Sequence, residues 1–235
     1  MPPLNAVGGC GRAINFHRRG PIKQGGISEP GTCVSEIVAE VECIFQVRKL
    51  ISQDLCQTII DNYHRDPRKH PGYTLSRHSE KRLQDEVKVS TDLEIAREGS
   101  WAAAFEELNF GVNCAVEKLV ARLPSMQIWP LWWTGYKIQH YKQNEGHFKW
   151  HFDAAGPGTW HRQMAMIIYL NSVQDGGETC FHRQSLRVKP IAGDALFFPT
   201  FWTHAHCGEI PRSGDKYVIS SFIGFVIPAA DQKVA

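Results

Sequence analysis

The hydrophobic pattern changes its period at Pro130, and this change constrains the fold more than any other feature of the chain. Before it, apolar side chains of the segment 101–123 recur at steps of three and four: Trp101, Phe105, Leu108, Val112, Ala115, Leu119 and Leu123. That spacing predicts a helix that starts near Ser100. A shorter helix is predicted over residues 53–64, with Ser52 as its N-cap.

After Pro130, short segments read as strands, because their apolar residues alternate or run together and because Gly, Pro and Asp separate them. These segments are 137–141, 148–153, 164–170, 186–188, 195–198 and 217–227. Helices followed by many short strands are typical of an α+β fold. We expect the strands to close into a sandwich or barrel that the N-terminal helices flank.

The composition favours an ordinary globular chain and excludes several classes of protein. Hydrophobic residues make up 43% and charged residues 21% of the 235 residues, which excludes a mostly disordered chain or a collagen-like repeat. A net charge of +2 is too small to favour nucleic acid or a membrane surface as a partner, and no apolar stretch approaches the length of a membrane span. Seven cysteines without a C-x-x-C pair favour free thiols and a cytoplasmic location.

Histidine is concentrated towards the C-terminal half of the chain. In His151-Phe152-Asp153 the strand period of two puts an imidazole and a carboxylate on one face, where both can bind a single metal ion. A third ligand can come from the segment 203–206, which offers two histidines. Two histidines and one carboxylate with open positions are typical of non-haem Fe(II) oxygenases. The aromatic side chains around this motif are expected to point the other way, into apolar packing: Phe148, Trp150 and Phe152.

Further motifs surround this pair in a fixed order. They are Tyr141, Gly146, His151-x-Asp153, Arg162, Tyr169-Leu170-Asn171, Gly176-Gly177-Glu178-Thr179-x-Phe181, Gly193-Asp194-Ala195-Leu196-x-Phe198, His206-x-Gly208 and Gly214-x-Lys216. With these motifs the sequence resembles the prolyl 4-hydroxylase-like group of 2-oxoglutarate- and Fe(II)-dependent dioxygenases. An earlier stretch, Lys88-x-Ser90-x-Asp92, also resembles the N-terminal support of that group. The resemblance implies a double-stranded β-helix (jelly-roll) core.

The domain organisation is predicted from both the composition and the resemblance. Residues 1–40 are rich in Gly and Pro without a sustained period, which predicts an arm. Residues 41–235 are predicted to form one dioxygenase domain. Within it, residues 41–135 would supply helical and strand support, and residues 136–228 would form the jelly-roll catalytic core.

The resemblance implies that His151, Asp153 and a distal histidine bind Fe(II). In the group, the distal histidine lies ten residues before the basic residue that pairs with the far carboxylate of 2-oxoglutarate. That spacing selects His206 as the ligand and Lys216 as the carboxylate anchor. It leaves His204 as the alternative ligand.

The resemblance also implies roles around the iron. Tyr141 would hydrogen-bond the cosubstrate, with Tyr136 as the alternative. Ala165 stands where the group often has a threonine that contacts the cosubstrate, so Ser220 or a water would have to serve there. Contact with the substrate is expected of three residues: Arg162, Trp150 and His204.

The implied activity is hydroxylation of an unactivated C–H bond in a small molecule, an amino acid or a peptidyl residue. O2 would be consumed and succinate and CO2 released, with Fe(II) and 2-oxoglutarate required and ascorbate as an accessory reductant. No side-chain general base is needed. Two alternatives stay open: a nucleic-acid demethylase with the same iron chemistry, and a non-catalytic metal-binding jelly roll. The small net charge counts against the first, and Lys216 counts against both.

Overall fold

The computed structural model describes residues 34–75, 81–128 and 130–225. Its α-helices are α1 (Gln53–Arg65) and α2 (Ala102–Arg122), and short 3-10 turns cover Gly99–Trp101, Pro124–Gln127 and Trp202–His204. The strands of the N-terminal half are β1 (Glu36–Val41), β2 (Ile44–Arg48), β3 (His70–Pro71), β4 (Thr74–Leu75), β5 (Lys81–Arg82), β6 (Lys88–Val89) and β7 (Thr91–Glu94). Those of the C-terminal half are β8 (Leu131–Trp133), β9 (Lys137–Tyr141), β10 (His147–His151), β11 (Arg162–Tyr169), β12 (Thr179–Phe181), β13 (Leu186–Val188), β14 (Ala195–Pro199), β15 (His206–Gly208) and β16 (Lys216–Phe225).

Both predicted helices form, and both pack one apolar face on a sheet. The Ser52 hydroxyl accepts a hydrogen bond from the Leu55 amide at 3.0 Å, so it caps α1 as predicted. The apolar face of α2 is fully buried, with Leu108 and Val112 at 0% exposure. Side chains of the helices and of β9, β11 and β16 share one hydrophobic cluster. The helices therefore hold one face of the larger sheet away from water.

The larger sheet is antiparallel, with strand order β1-β2-β14-β11-β16-β9-β7-β3 and with β8 paired to β16. β16 lies at its centre and alternates its side chains between two faces. Tyr217 and Ile219 join the cluster under the helices, whereas Val218 joins a second cluster on the other face. This alternation places the even-numbered residues of β16 on the face that turns away from the helices.

A smaller antiparallel sheet, in the order β13-β12-β15-β10-β6, covers that second face. Phe181 from the small sheet packs with Phe198 from the large one, and their ring centroids lie 4.9 Å apart. The two sheets with their flanking helices confirm the predicted α+β jelly roll. A cavity of about 470 Å³ remains between the sheets.

The sheet begins before the predicted boundary at residue 41. Residues 36–40, assigned to the arm, form most of β1, which pairs with β2 at the sheet edge. β1 exposes most of its side chains, and its apolar residues (Ile37, Val38, Ala39 and Val41) do not alternate regularly with polar ones. The rest of the predicted arm lies outside the described residues. Among the helices that the structure describes, none has the length and apolar character needed to cross a membrane.

Candidate iron and 2-oxoglutarate site

Three side chains of the small-sheet side meet at the cavity. Asp153 Oδ1 lies 3.8 Å from His151 Nε2, and Asp153 Oδ2 lies 3.7 Å from His206 Nε2. The two imidazole centroids are 4.2 Å apart. Since bonds from a first-row metal to nitrogen or oxygen are about 2.0–2.2 Å long, ligand atoms at these separations can share one ion. Strands β10 and β15 pair His151 with His206, which brings residues 55 positions apart into one site.

Backbone carbonyls fix the orientation of both imidazoles. His151 Nδ1 donates to the Lys149 carbonyl at 2.7 Å, and His206 Nδ1 donates to the His204 carbonyl at 3.0 Å. A carbonyl only accepts, so each Nδ1 carries the hydrogen and each Nε2 presents its lone pair to the centre of the site. Burial also lowers the pKa of His151 well below its usual value and raises the pKa of Asp153. Two imidazoles and a carboxylate form the donor set that suits Fe(II).

A β-bulge in β10 changes the predicted direction of Phe148. The register between β10 and β15 shifts between Phe148 and His151, and the Phe148 ring stacks on the His151 ring with centroids 3.5 Å apart. The expectation that Phe148 points away from His151 is therefore wrong, because the extra residue breaks the period of two. Phe148 lines the cavity beside the ligand.

The other two aromatic residues of this segment are not buried in apolar packing as predicted. Phe152 is 36% exposed and Trp150 is 50% exposed. Trp150 packs edge-on against His182, at 5.4 Å between ring centroids, and is not among the residues that line the cavity. The expected substrate contact by Trp150 is therefore not supported by its position.

His204 is also directed away from the cavity. It lies in a 3-10 turn rather than in a regular strand, so it does not share a face with His206. Its Nε2 donates to the Glu42 carbonyl at 2.7 Å, and its Nδ1 accepts from the Thr203 hydroxyl at 2.9 Å. Both ring nitrogens are thus used, which removes His204 as the alternative ligand and as a substrate contact.

Lys216 lies at one end of the cavity in almost complete isolation from water, at 3% exposure. Its Nζ is 5.6 Å from the centroid of the Tyr141 ring and 5.7 Å from that of Tyr169. Burial lowers the pKa of Lys216 to about 8. A buried ammonium between aromatic rings suits an anionic ligand. Thr179 also lines this end, and its hydroxyl accepts a hydrogen bond from the Tyr169 hydroxyl at 2.8 Å.

Tyr141, rather than Tyr136, faces the cavity. The Tyr141 hydroxyl donates to Gln139 Oε1 at 3.3 Å, and both residues line the cavity. Tyr136 lies in the cluster under the helices, where its hydroxyl donates to Asn109 Oδ1 at 2.7 Å. Ala165 and Ser220 both line the cavity, as the resemblance implies for the position of the missing threonine.

The opposite end of the cavity is lined by cations, of which Arg162 and Lys88 belong to the motifs identified in the sequence. Lys88 and Lys137 both contact the buried Asp92 carboxylate, at 2.8 Å and 3.1 Å. Arg162 places its guanidinium 3.8 Å from the centroid of the Phe222 ring. Lys137 was not predicted, although the strand period of two puts it on the same face of β9 as Tyr141.

Comparison with known proteins agrees with this geometry. Residues 136–224 match the family model of the 2OG-Fe(II) oxygenase superfamily, a range that includes the three metal-site residues, Tyr141 and Lys216. A search of curated protein sequences found no match. Among solved structures, the viral collagen prolyl hydroxylase of Paramecium bursaria Chlorella virus-1, in complex with 2-oxoglutarate, is 17% identical; the match covers 79% of this chain and 97% of that chain with a TM-score of 0.55.

Two cellular enzymes have the same fold. A Trichoplax adhaerens prolyl hydroxylase, in complex with a peptide fragment of a hypoxia-inducible factor, is 13% identical over 77% of this chain and 83% of its own, with a TM-score of 0.61. A Pseudomonas putida prolyl-4-hydroxylase is 11% identical over 78% and 93%, with a TM-score of 0.58. At these identities the structural neighbours show a shared fold, and the match to the family model indicates the class of reaction. Residues 136–224 therefore match the 2OG-Fe(II) oxygenase superfamily, and this match together with the prolyl hydroxylase-like fold indicates an Fe(II)- and 2-oxoglutarate-dependent oxygenase.

Proposed function

We propose that the protein hydroxylates an unactivated C–H bond of a peptidyl residue or a small molecule, with release of succinate and CO2. The observation that carries this proposal is the meeting of His151, Asp153 and His206 in the same cavity as the buried Lys216. Bound Fe(II) and 2-oxoglutarate would supply O2 activation and oxidative decarboxylation of the cosubstrate. Ascorbate is proposed as an accessory reductant.

In this proposal the side chains bind, orient and exclude water. His151, Asp153 and His206 would hold the metal, which would keep open coordination positions for the cosubstrate and O2. Lys216 pairs with the distal carboxylate of 2-oxoglutarate, and Tyr141 offers its hydroxyl beside that pair. The aromatic rings around the Lys216 ammonium keep water away from the ion pair and so strengthen it.

Two kinds of observation support the choice of substrate and location. One of the structural neighbours is in complex with a peptide fragment, which supports a peptidyl residue as substrate. Arg162 lines the cavity, as expected of a residue that contacts substrate. Among the described cysteines, four are free thiols: Cys43, Cys56, Cys180 and Cys207. Free thiols support the proposed reducing, cytoplasmic location.

The test is anaerobic reconstitution with Fe(II) followed by addition of 2-oxoglutarate. The wild-type protein should develop a visible charge-transfer absorption, because the keto acid chelates the metal. His151→Ala and His206→Ala should lose the absorption and all succinate production in air. His182→Ala, which replaces a histidine outside the cavity, is the matched control and should keep both.

Two outcomes would contradict this proposal. Tight Fe(II) binding without the charge-transfer absorption would exclude the dioxygenase chemistry. Loss of iron binding in His204→Ala together with normal binding in His206→Ala would show that the ligand assignment is wrong.

A further inference from the structure

The cavity extends along β16, and its two ends differ in chemistry. Lys216 begins this strand and Phe222 lies six residues further, which corresponds to about 20 Å at 3.3–3.4 Å per residue. β9 runs alongside, with Tyr141 paired to Lys216 and Lys137 paired to Ser220. The Lys216 end is the proposed cosubstrate site. The Lys137 and Phe222 end is therefore left for the substrate.

Two lysines at the substrate end share one carboxylate. Asp92 Oδ2 accepts from Lys88 at 2.8 Å and from Lys137 at 3.1 Å, and Asp92 Oδ1 accepts from the Ser90 hydroxyl at 2.7 Å. Asp92 is fully buried behind the lysines and is not itself a lining residue. Lys137 is the more exposed lysine, with 24% of its side chain accessible against 2% for Lys88. One positive charge of this cluster is thus left over at the cavity wall.

Arg162 adds a second cation that lacks a carboxylate partner within the described part of the chain. Its Nε is buried and makes no hydrogen bond there, and its guanidinium rests on the Phe222 ring. Asp153 and, after it, Tyr73 favour the charge of Arg162, and the Asp153 carboxylate belongs to the metal site. Burial lowers the pKa of Arg162, because the guanidinium loses contact with water.

Among the described residues, the substrate end therefore carries three cations against the one carboxylate of Asp92, a net charge of +2. Glu94 lies opposite Lys137 in the pairing of β7 with β9 and interacts with it electrostatically, but it does not line the cavity and pairs with His70 at 3.0 Å. Desolvating cations without a counter-charge is costly, so such a wall favours a ligand that brings negative charge. A neutral ligand would bury the same cations and compensate none of them.

We propose that the substrate carries a carboxylate group, which Lys137 and Arg162 bind at the end of the cavity opposite Lys216. This inference rests on the proposed function and narrows its substrate to acidic molecules or acidic peptidyl residues. A guanidinium with a free Nε can hold a carboxylate through paired hydrogen bonds, and the neighbouring ammonium adds a point charge. The carboxylate would fix the substrate so that one C–H bond faces the metal.

The experiment compares molecules that share their C–H bonds and differ in charge. The probes are N-acetyl amino acids against their methylamides, and N-acetyl aspartate and glutamate amides against the asparagine and glutamine counterparts. Succinate formed above the rate without a second substrate is measured at saturating 2-oxoglutarate. Acids should stimulate succinate formation, and their kcat/KM should exceed that of the neutral partner by about tenfold or more, since one charge-assisted contact is lost.

Variants of Lys137 separate binding from folding. Lys137→Met should raise KM for the best acid about tenfold or more and leave the charge-transfer absorption with 2-oxoglutarate intact, while Lys137→Arg should restore most of the affinity. Lys142→Met is the control, because Lys142 lies just beyond the same strand with 71% of its side chain exposed.

Three results overturn this inference alone, provided that the charge-transfer absorption forms. The first is that no acid stimulates succinate formation, and the second is that a neutral probe equals its acid in kcat/KM. The third is an unchanged KM for the best acid in Lys137→Met. If the absorption itself does not form, the proposed function fails instead.

Discussion

At the scale of single residues, Lys216 makes the affinity for 2-oxoglutarate depend on pH. Its pKa is lowered to about 8 by burial, so the ammonium is present below pH 8 and is lost as the pH rises through that value. Because a carboxylate binds the charged form, the Kd for 2-oxoglutarate should be flat below pH 8. It should then rise by up to tenfold per pH unit above it. Anaerobic titration of the charge-transfer absorption between pH 6.5 and 9.5 measures this Kd.

Lys216→Arg is the matched variant for this prediction. A guanidinium stays protonated throughout that range, so the rise in Kd above pH 8 should disappear even if the affinity at pH 7 is lower. A rise of equal size in the arginine variant would assign the pH dependence to another group.

At the scale of elements, α2 carries a glycine where the loop after β2 crosses it. A Cβ at Gly111 would come too close to the backbone oxygen of Leu50 and within 3.4 Å of the Ile51 side chain. Gly111→Ala improves helix propensity by about 1 kcal/mol, but the contact is with a backbone atom, which cannot move out of the way cheaply. We therefore expect a net loss of about 1–3 kcal/mol in the free energy of unfolding, measured by urea denaturation.

Asn113→Ala on the same helix provides the comparison. Asn113 is half-buried on α2, and the change improves helix propensity by about 0.5 kcal/mol. It should leave the stability unchanged or slightly higher. Equal stabilisation by both alanine variants would show that the loop adapts to α2.

Elements with a strong apolar period were predictable, and elements that depend on their neighbours were not. The repeats in α1, α2 and β11 identify those elements in the sequence, because each buries one regular face or both faces. β1 exposes most of its side chains, and strands as short as β6 are fixed by the strands they pair with.

The site residues were also predictable only where they follow a regular period along the chain. The spacing of His151 and Asp153 was readable because it follows the period of a strand, whereas the direction of Phe148 was not, because a bulge interrupts that period. The cluster of Lys88 and Lys137 around Asp92 depends on the pairing of β7 with β9, which spacing along the chain does not reveal.

At the scale of the whole molecule, the two sheets contribute different parts of the site. The small-sheet side carries the metal ligands, and the large sheet carries Lys216. A metal ion with 2-oxoglutarate should therefore connect the two sheets and raise the melting temperature. At ligand concentrations 100 times Kd the gain is about 2.7 kcal/mol, which corresponds to roughly 5–10 °C for a domain of this size.

Anaerobic thermal denaturation measures the shift in melting temperature caused by the metal and the further shift caused by 2-oxoglutarate. The protein is compared without ligand, with Fe(II) alone, and with Fe(II) plus 2-oxoglutarate. Lys216→Met should keep the shift caused by the metal and lose most of the further shift caused by 2-oxoglutarate. If 2-oxoglutarate raised the melting temperature of Lys216→Met as much as that of the wild type, Lys216 would not anchor the cosubstrate.

The hydrogen bond between the His204 ring and the Glu42 carbonyl limits how far the chain can be shortened. Glu42 lies in the turn between β1 and β2, and the His204 carbonyl receives the Nδ1 hydrogen of His206. A truncated protein that starts after β2 would retain every metal ligand. It would lose the Glu42 carbonyl that holds His204, and His204 in turn orients the ligand His206. Anyone who designs a minimal catalytic fragment should therefore begin it before Glu36, about 100 residues ahead of the segment that the family model recognises.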